Sequence, residues 1–180
     1  MIHLPDGTIS GRPQPIGDVS NADCMLMQEF GSDPDLNTNE AIINYALERP
    51  EIWALPQFVS GSLAKRMAQR GLGENIAYTF EGKSARGVSE NLGTYGEWVQ
   101  FFDAATPAGM QTPVLVTNGH NAGNSYRQGL LFGIESVLPE NLPHGFDWRS
   151  IRSGQLWTAN WACWALTAQL RHHLLLKNDH

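Results

Sequence analysis

The feature that most limits how this chain can fold is its C-terminal stretch. Trp157, Trp161 and Trp164 fall at i, i+4 and i+7, one face of a helix. Leu156, Cys163, Leu170 and Leu174 cover the adjoining angles, and the polar stripe is narrow, chiefly Asn160, Thr167 and Arg171. With Ser153 as cap, the pattern predicts a helix over 153–177, about 40 Å long at ~1.5 Å per residue. A helix that is apolar around most of its circumference is buried on most sides. Either it crosses the core, or its tryptophans meet a partner or a second copy of the chain. Tryptophan is enriched at such contacts because it buries much area with few rotatable bonds. Trp157, Trp161 and Trp164 are therefore the interface candidates.

Composition narrows the setting. The 180 residues suit one domain, and 42% apolar residues suffice for a core. Charged residues are 17%, against roughly 25% in an average soluble domain. Fewer surface charges favour burial in an oligomer or a complex. The net charge of −6 argues against nucleic acid as a partner. No run reaches the ~18 apolar residues of a membrane span, and the Trp helix lacks the basic opposite face of a surface-bound one. Two cysteines, Cys24 and Cys163, are too few for a disulfide scaffold, and residues 1–7 lack a leader pattern. The expected location is the cytoplasm.

Glycine and proline punctuate the rest. Residues 1–20 carry Gly7, Gly11, Pro13, Pro15 and Gly17 and read as an extended arm, leaving 21–180 as one globular domain. A short helix is expected over 22–30, capped by Asn21 or Asp23 and ended by Gly31. Asn37 and Glu40 form a capping pair for a helix carrying Ile42, Tyr45 and Ala46 up to Pro50. Ser62 caps a helix over 63–70 that Gly71 ends. Ile76, Tyr78 and Phe80 alternate as in a strand. Thr94 and Glu97 form a second capping box before a helix over 95–105 with Trp98, Phe101 and Phe102, broken by Pro107 and Gly109. Val114–Val116 is the best buried strand. A loop follows, then a helix over about 124–137 in which Gly129 and Gly133 mark close packing. The mixture predicts an α+β or small α/β fold, a single compact domain with more helix than strand.

Candidate chemistry centres on 117–127, between that strand and helix. Glycines let a ligand reach the main chain, and N–H groups at a helix start attract anions. Asn118, Gly119, Asn121, Gly123, Asn124, Ser125 and Arg127 are the candidate ligand-binding residues. Gly119-His120-Asn121-Ala122-Gly123 resembles the nucleophile elbow of α/β-hydrolases, but an amide, Asn121, stands at the nucleophile's place. Ser62-Leu63-Ala64-Lys65 resembles the S-x-x-K element of penicillin-recognising enzymes, with capping as the simpler role for Ser62. Cys24 at a helix start would have a lowered thiol pKa. With His120 as base it resembles papain-like thiol hydrolases in chain order, and Asp103, Asn118 or Asn121 would orient the histidine. His172, His173 and His180 have no ligand spacing, so no metal is expected, and no motif calls for a cofactor. The leading expectation is a non-catalytic binding or assembly protein acting through protein–protein contacts, with a partner protein or its own copies. The alternative is a small cysteine hydrolase using Cys24 and His120.

Overall fold

Cys24-Met25-Leu26-Met27 is the strand around which the other elements are arranged. In the computed structural model, which describes residues 17–30, 38–82 and 93–144 together with Leu166 and Leu170, it is strand β1 (Cys24–Met27), buried along its whole length. The helix expected over 22–30 is thus corrected to a strand. A four-residue apolar run has no period of its own; here it is covered on both faces and paired on both edges, which decides for a strand.

Helices α1 (Thr38–Leu47) and α2 (Pro50–Trp53) lead to strand β2 (Gln57–Ser60). Helix α3 (Gly61–Gln69) leads to strand β3 (Ile76–Phe80), and α4 (Gly93–Ala105) to strand β4 (Pro113–Val116) and α5 (Gly119–Leu130). All four strands are parallel, in the order β3-β2-β1-β4. This is an α/β arrangement with more helix than strand among the described residues. Val137 adds one parallel bridge outside β4, exchanging backbone bonds with Pro113 and Leu115.

The strands at 76–80 and 114–116 form as expected, as does the α1 face of Ile42, Tyr45 and Ala46. Pro50 opens a helix at N1, where its missing N–H costs nothing. Gly71 takes φ +70° just past α3, a conformation that favours glycine. Three expectations are corrected. α3 begins at Gly61, with Ser60 rather than Ser62 as its boundary residue. Strand β2 was not foreseen. α5 begins at Gly119 rather than near 124 and ends at Leu130, so most of the expected loop is its first turns.

One core joins the described elements. Trp98 and Phe101 of α4 meet edge to face at 5.5 Å, and Phe101 meets Phe58 of β2 at 5.0 Å. Gly129 makes room for this: a Cβ there would lie 2.8 Å from the Trp98 indole. Gly133, at φ +71°, follows the helix instead of packing within it. Among the described residues, no helix is long and apolar enough to cross a membrane. Residues 1–16 of the arm expected over 1–20, Asn37, Cys163, the tryptophans at 157, 161 and 164 and the histidines at 172, 173 and 180 lie outside the described residues, while the end of that arm enters a 3-10 turn, Val19–Asn21. Leu166 and Leu170 of the C-terminal segment are helical, with 67% and 63% of their surface exposed.

Candidate functional site

The strand order creates a switch. From β1 the chain steps outward to β2 and β3, then returns across the sheet to lay β4 on the other side of β1. Right-handed crossovers in opposite directions put α1 and α3 on one face and α4 and α5 on the other. The connections therefore diverge between β1 and β4, and the region outside their carboxyl ends is where open parallel sheets bind ligands.

Polar residues follow each apolar strand run at that edge. Gln28 and Glu29 follow β1, Ser60 ends β2, and Thr117 and Asn118 follow β4. Gln28, Ser60, Thr117 and Asn118 are all buried. Met27 is level with Val59, so Gln28 and Ser60 are neighbours one step further on. Trp98 Nε1–H donates to Ser125 Oγ at 3.0 Å, and Ser125 Oγ donates to Gln28 Oε1. Gln28 Nε2 is buried without an acceptor. The Glu29 N–H donates to Ser60 Oγ at 3.0 Å, and Ser60 Oγ donates to Glu97 Oε1 of α4. Ser62 Oγ donates to Glu29 Oε2 on the α3 side.

Two carboxyls thus share the edge under different conditions. Burial pushes Glu97 up to about 8, with the charge of Glu29 adding to the rise and the Ser60 bond opposing it. Burial also raises Glu29, while Ser62 and the Arg66 guanidinium pull it back. Both carboxyls are thus raised by burial, and a serine hydroxyl donates to each of them.

The α5 junction is arranged differently. Asn118 Oδ1 accepts from the His120 N–H at 3.0 Å, a side-chain cap. The Gly119 N–H donates to Pro143 O, and the amides of Asn121 and Ala122 donate to Asn118 O. The first turn's donors are consequently spent inside the protein. The His144 ring lies over Gly119, where a Cβ would meet it at 2.2 Å, and stacks edge to face on His120. Asn121 donates to Thr117, Asn124 to Asn121 and Gln128 to Asn124, a ladder along one helix face. Of the seven expected ligand residues, Asn118, Asn121, Asn124 and Ser125 are buried in these bonds, Gly119 and Gly123 are buried, and Arg127 is half-buried.

Cys24 and His120 are not brought together. Cys24 pairs with Pro113 at the amino end of the sheet, whereas His120 lies past the carboxyl end of β4. Four residues of strand at ~3.3 Å each separate the two ends by about 10 Å. Cys24 is on a strand, not a helix start, and burial beside Asp23 pushes its thiol upward rather than down. Asp103 lies on the exposed side of α4. Gln28, Glu29, Ser60 and Glu97 were missed as site residues. Their common signal is a polar residue directly after a buried apolar run, except for Glu97, which fits a capping pattern. No three His, Cys, Asp or Glu side chains among the described residues group as metal ligands. No protein-family model, curated protein or solved structure matches the chain.

Proposed function

We propose that this chain binds a small, uncharged polar molecule in the region outside the carboxyl ends of β1 and β4. The observation that carries the reading is the convergence of buried Gln28, Ser60 and Glu97 at the switch, with hydrogen-bonding capacity left over. A phosphate is disfavoured: the first amides of α5 are already satisfied, and the Glu29 carboxylate sits at the first turn of α3. Apolar strands behind this edge and a few placed polar groups along it are what a small-molecule site requires.

Saturation-transfer NMR with uridine, glucose and uridine monophosphate tests this. The two uncharged probes are expected to bind, with amide shifts confined to 27–29, 60–62 and 117–120, and the phosphate to bind more weakly. Shifts scattered elsewhere, or tighter binding of the phosphate, would overturn the reading.

A second reading, assembly through protein–protein contacts, is favoured by Leu166 and Leu170. Both are helical and mostly exposed. Light scattering of the native chain against Leu166→Asp/Leu170→Asp tests it. An oligomer that the double variant dissolves supports assembly, and a monomer in both removes this reading.

A further inference from the structure

An apolar patch lies on the exposed side of α4 and α5. Phe132, just past α5, sits between Tyr95 and Phe102 of α4, its ring 5.4 Å and 5.9 Å from theirs. Phe102 is 39% exposed, and Leu130, at the end of α5, is 47% exposed. Tyr95 and Phe132 are half-buried. Apart from Tyr78, the other large apolar side chains exposed among the described residues are Leu166 and Leu170, in the C-terminal segment. Surface of this kind is usually covered by something.

We propose that the patch of Tyr95, Phe102, Leu130 and Phe132 is the seat of this chain's own C-terminal segment, residues 153–177, which docks on it through Trp157, Trp161 and Trp164. The inference is independent of the carboxyl-edge site.

The two rows match in length. Tyr95 and Phe102 are seven residues apart on α4, about 10 Å along its axis. Trp157 and Trp164 have the same spacing in the predicted helix. Rows of this kind pack as ridges into grooves when two helices meet. Leu166 falls about half a turn from the centre of the tryptophan row. Its helical, mostly exposed state is what the outward face of a segment docked through its tryptophans would show.

The chain can reach. Its continuous described part ends beside the start of α5, where the Gly119 N–H donates to Pro143 O and the His144 ring lies over Gly119. Leu130 is at the other end of that 12-residue helix, about 18 Å away. Residues 145–152 can span up to about 26–29 Å. A tether of that length holds the segment at an effective concentration of about millimolar, which favours it over a second copy at micromolar concentration. Charge favours the same pairing. Residues 145–180 carry Arg149, Arg152, Arg171 and Lys177 against Asp147 and Asp179, a net +2 in a chain of net −6. Asp103, next to Phe102, and Glu135, three residues past Phe132, are exposed carboxylates.

The test is NMR on the full chain. Nuclear Overhauser contacts are expected between the indoles of Trp157, Trp161 or Trp164 and the rings of Phe102 and Phe132, unchanged on about tenfold dilution. In a mixture of isotope-labelled and unlabelled chains they should stay within one chain. Phe102→Glu/Leu130→Glu should abolish them and speed amide exchange over 157–164 at least about tenfold. Contacts between chains would give the patch to a second copy and overturn the proposal. So would an absence of contacts to these rings, or exchange over 157–164 that the double variant leaves unchanged. Should that variant fail to fold, the labelled mixture decides alone.

Discussion

The two ends of the parallel sheet differ in how deeply they bury their polar groups. At the amino end, Asp23 accepts from the Gln111 N–H at 2.7 Å and from the Thr112 N–H at 3.1 Å, tying the start of β1 to the start of β4. Cys24 beside it is a small, fully buried side chain whose thiol is pushed upward by burial. At the carboxyl end the groups are more deeply buried, and each end holds one unpaired atom close to the sheet, Gln57 Oε1 at the start of β2 and Gln28 Nε2 past β1. Gln28 Nε2 has no acceptor, and Glu97 is held far above the usual carboxyl range. Satisfied polar groups hold structure together, and the proposed binding role rests on the orphaned Gln28 amide lying at the switch point.

That contrast can be broken experimentally. The largest effect is expected where the carboxyl end depends on ordinary packing. Trp98→Ala should cost about 3–5 kcal/mol in urea unfolding, because it opens a cavity and leaves Ser125 without its donor. A loss under 1 kcal/mol would mean the indole is not a core element.

Next comes the pH dependence of stability. In the unfolded chain Glu97 ionises near the ordinary value of 4.5, and in the fold near 8. Between those values the folded state binds the extra proton, so stability falls as pH rises through this window and levels off above it. At ~1.4 kcal/mol per unit the loss is on the order of a few kcal/mol. Glu97→Gln should flatten the curve between pH 5 and 8, and an unchanged slope would place the titration on another group.

At the amino end, Asp23→Ala should cost about 1–3 kcal/mol, since two backbone donors lose a charged acceptor. It should leave uridine binding unchanged. Loss of binding without loss of stability would erase the distinction between the ends. The smallest expectation is no reaction. Iodoacetamide at pH 8 should leave Cys24 unmodified in the native chain and label it in urea, as peptide mapping would show. Rapid native labelling would reinstate a reactive thiol.

What was legible in the sequence follows from where each residue's partners lie. Val114–Val116 and Ile76–Phe80 were readable because turn residues bracket them and their composition is β-like. Gly71 was readable because a helix end is a local event. β1 was not, since Met and Leu favour a helix and only pairing with strands far along the chain makes them a strand. β2 was hidden because Gln57 and Ser60 give it polar ends, and the serine's purpose is not local. Glu97 sits three residues after Thr94, which fits a cap, yet its partner Ser60 is 37 positions away. The carboxyl-edge site is made of such long-range meetings, whereas 117–127 looked like a site because its polar residues are contiguous, and they mostly bond one another.

The strand order also sets a sequence of events during synthesis. β1 leaves the ribosome first among the strands but is completed last. Its β2 edge closes early, while its other edge waits for β4, with Asp23 and Thr112 lying 89 positions apart. At roughly 5–20 residues per second, that wait lasts several seconds. For that interval a flat, uncharged Met-Leu-Met edge is open to the wrong neighbour. Residues 113–116 end the exposure, so a chain truncated before Pro113 would present to the cell a sheet whose central strand has become its edge.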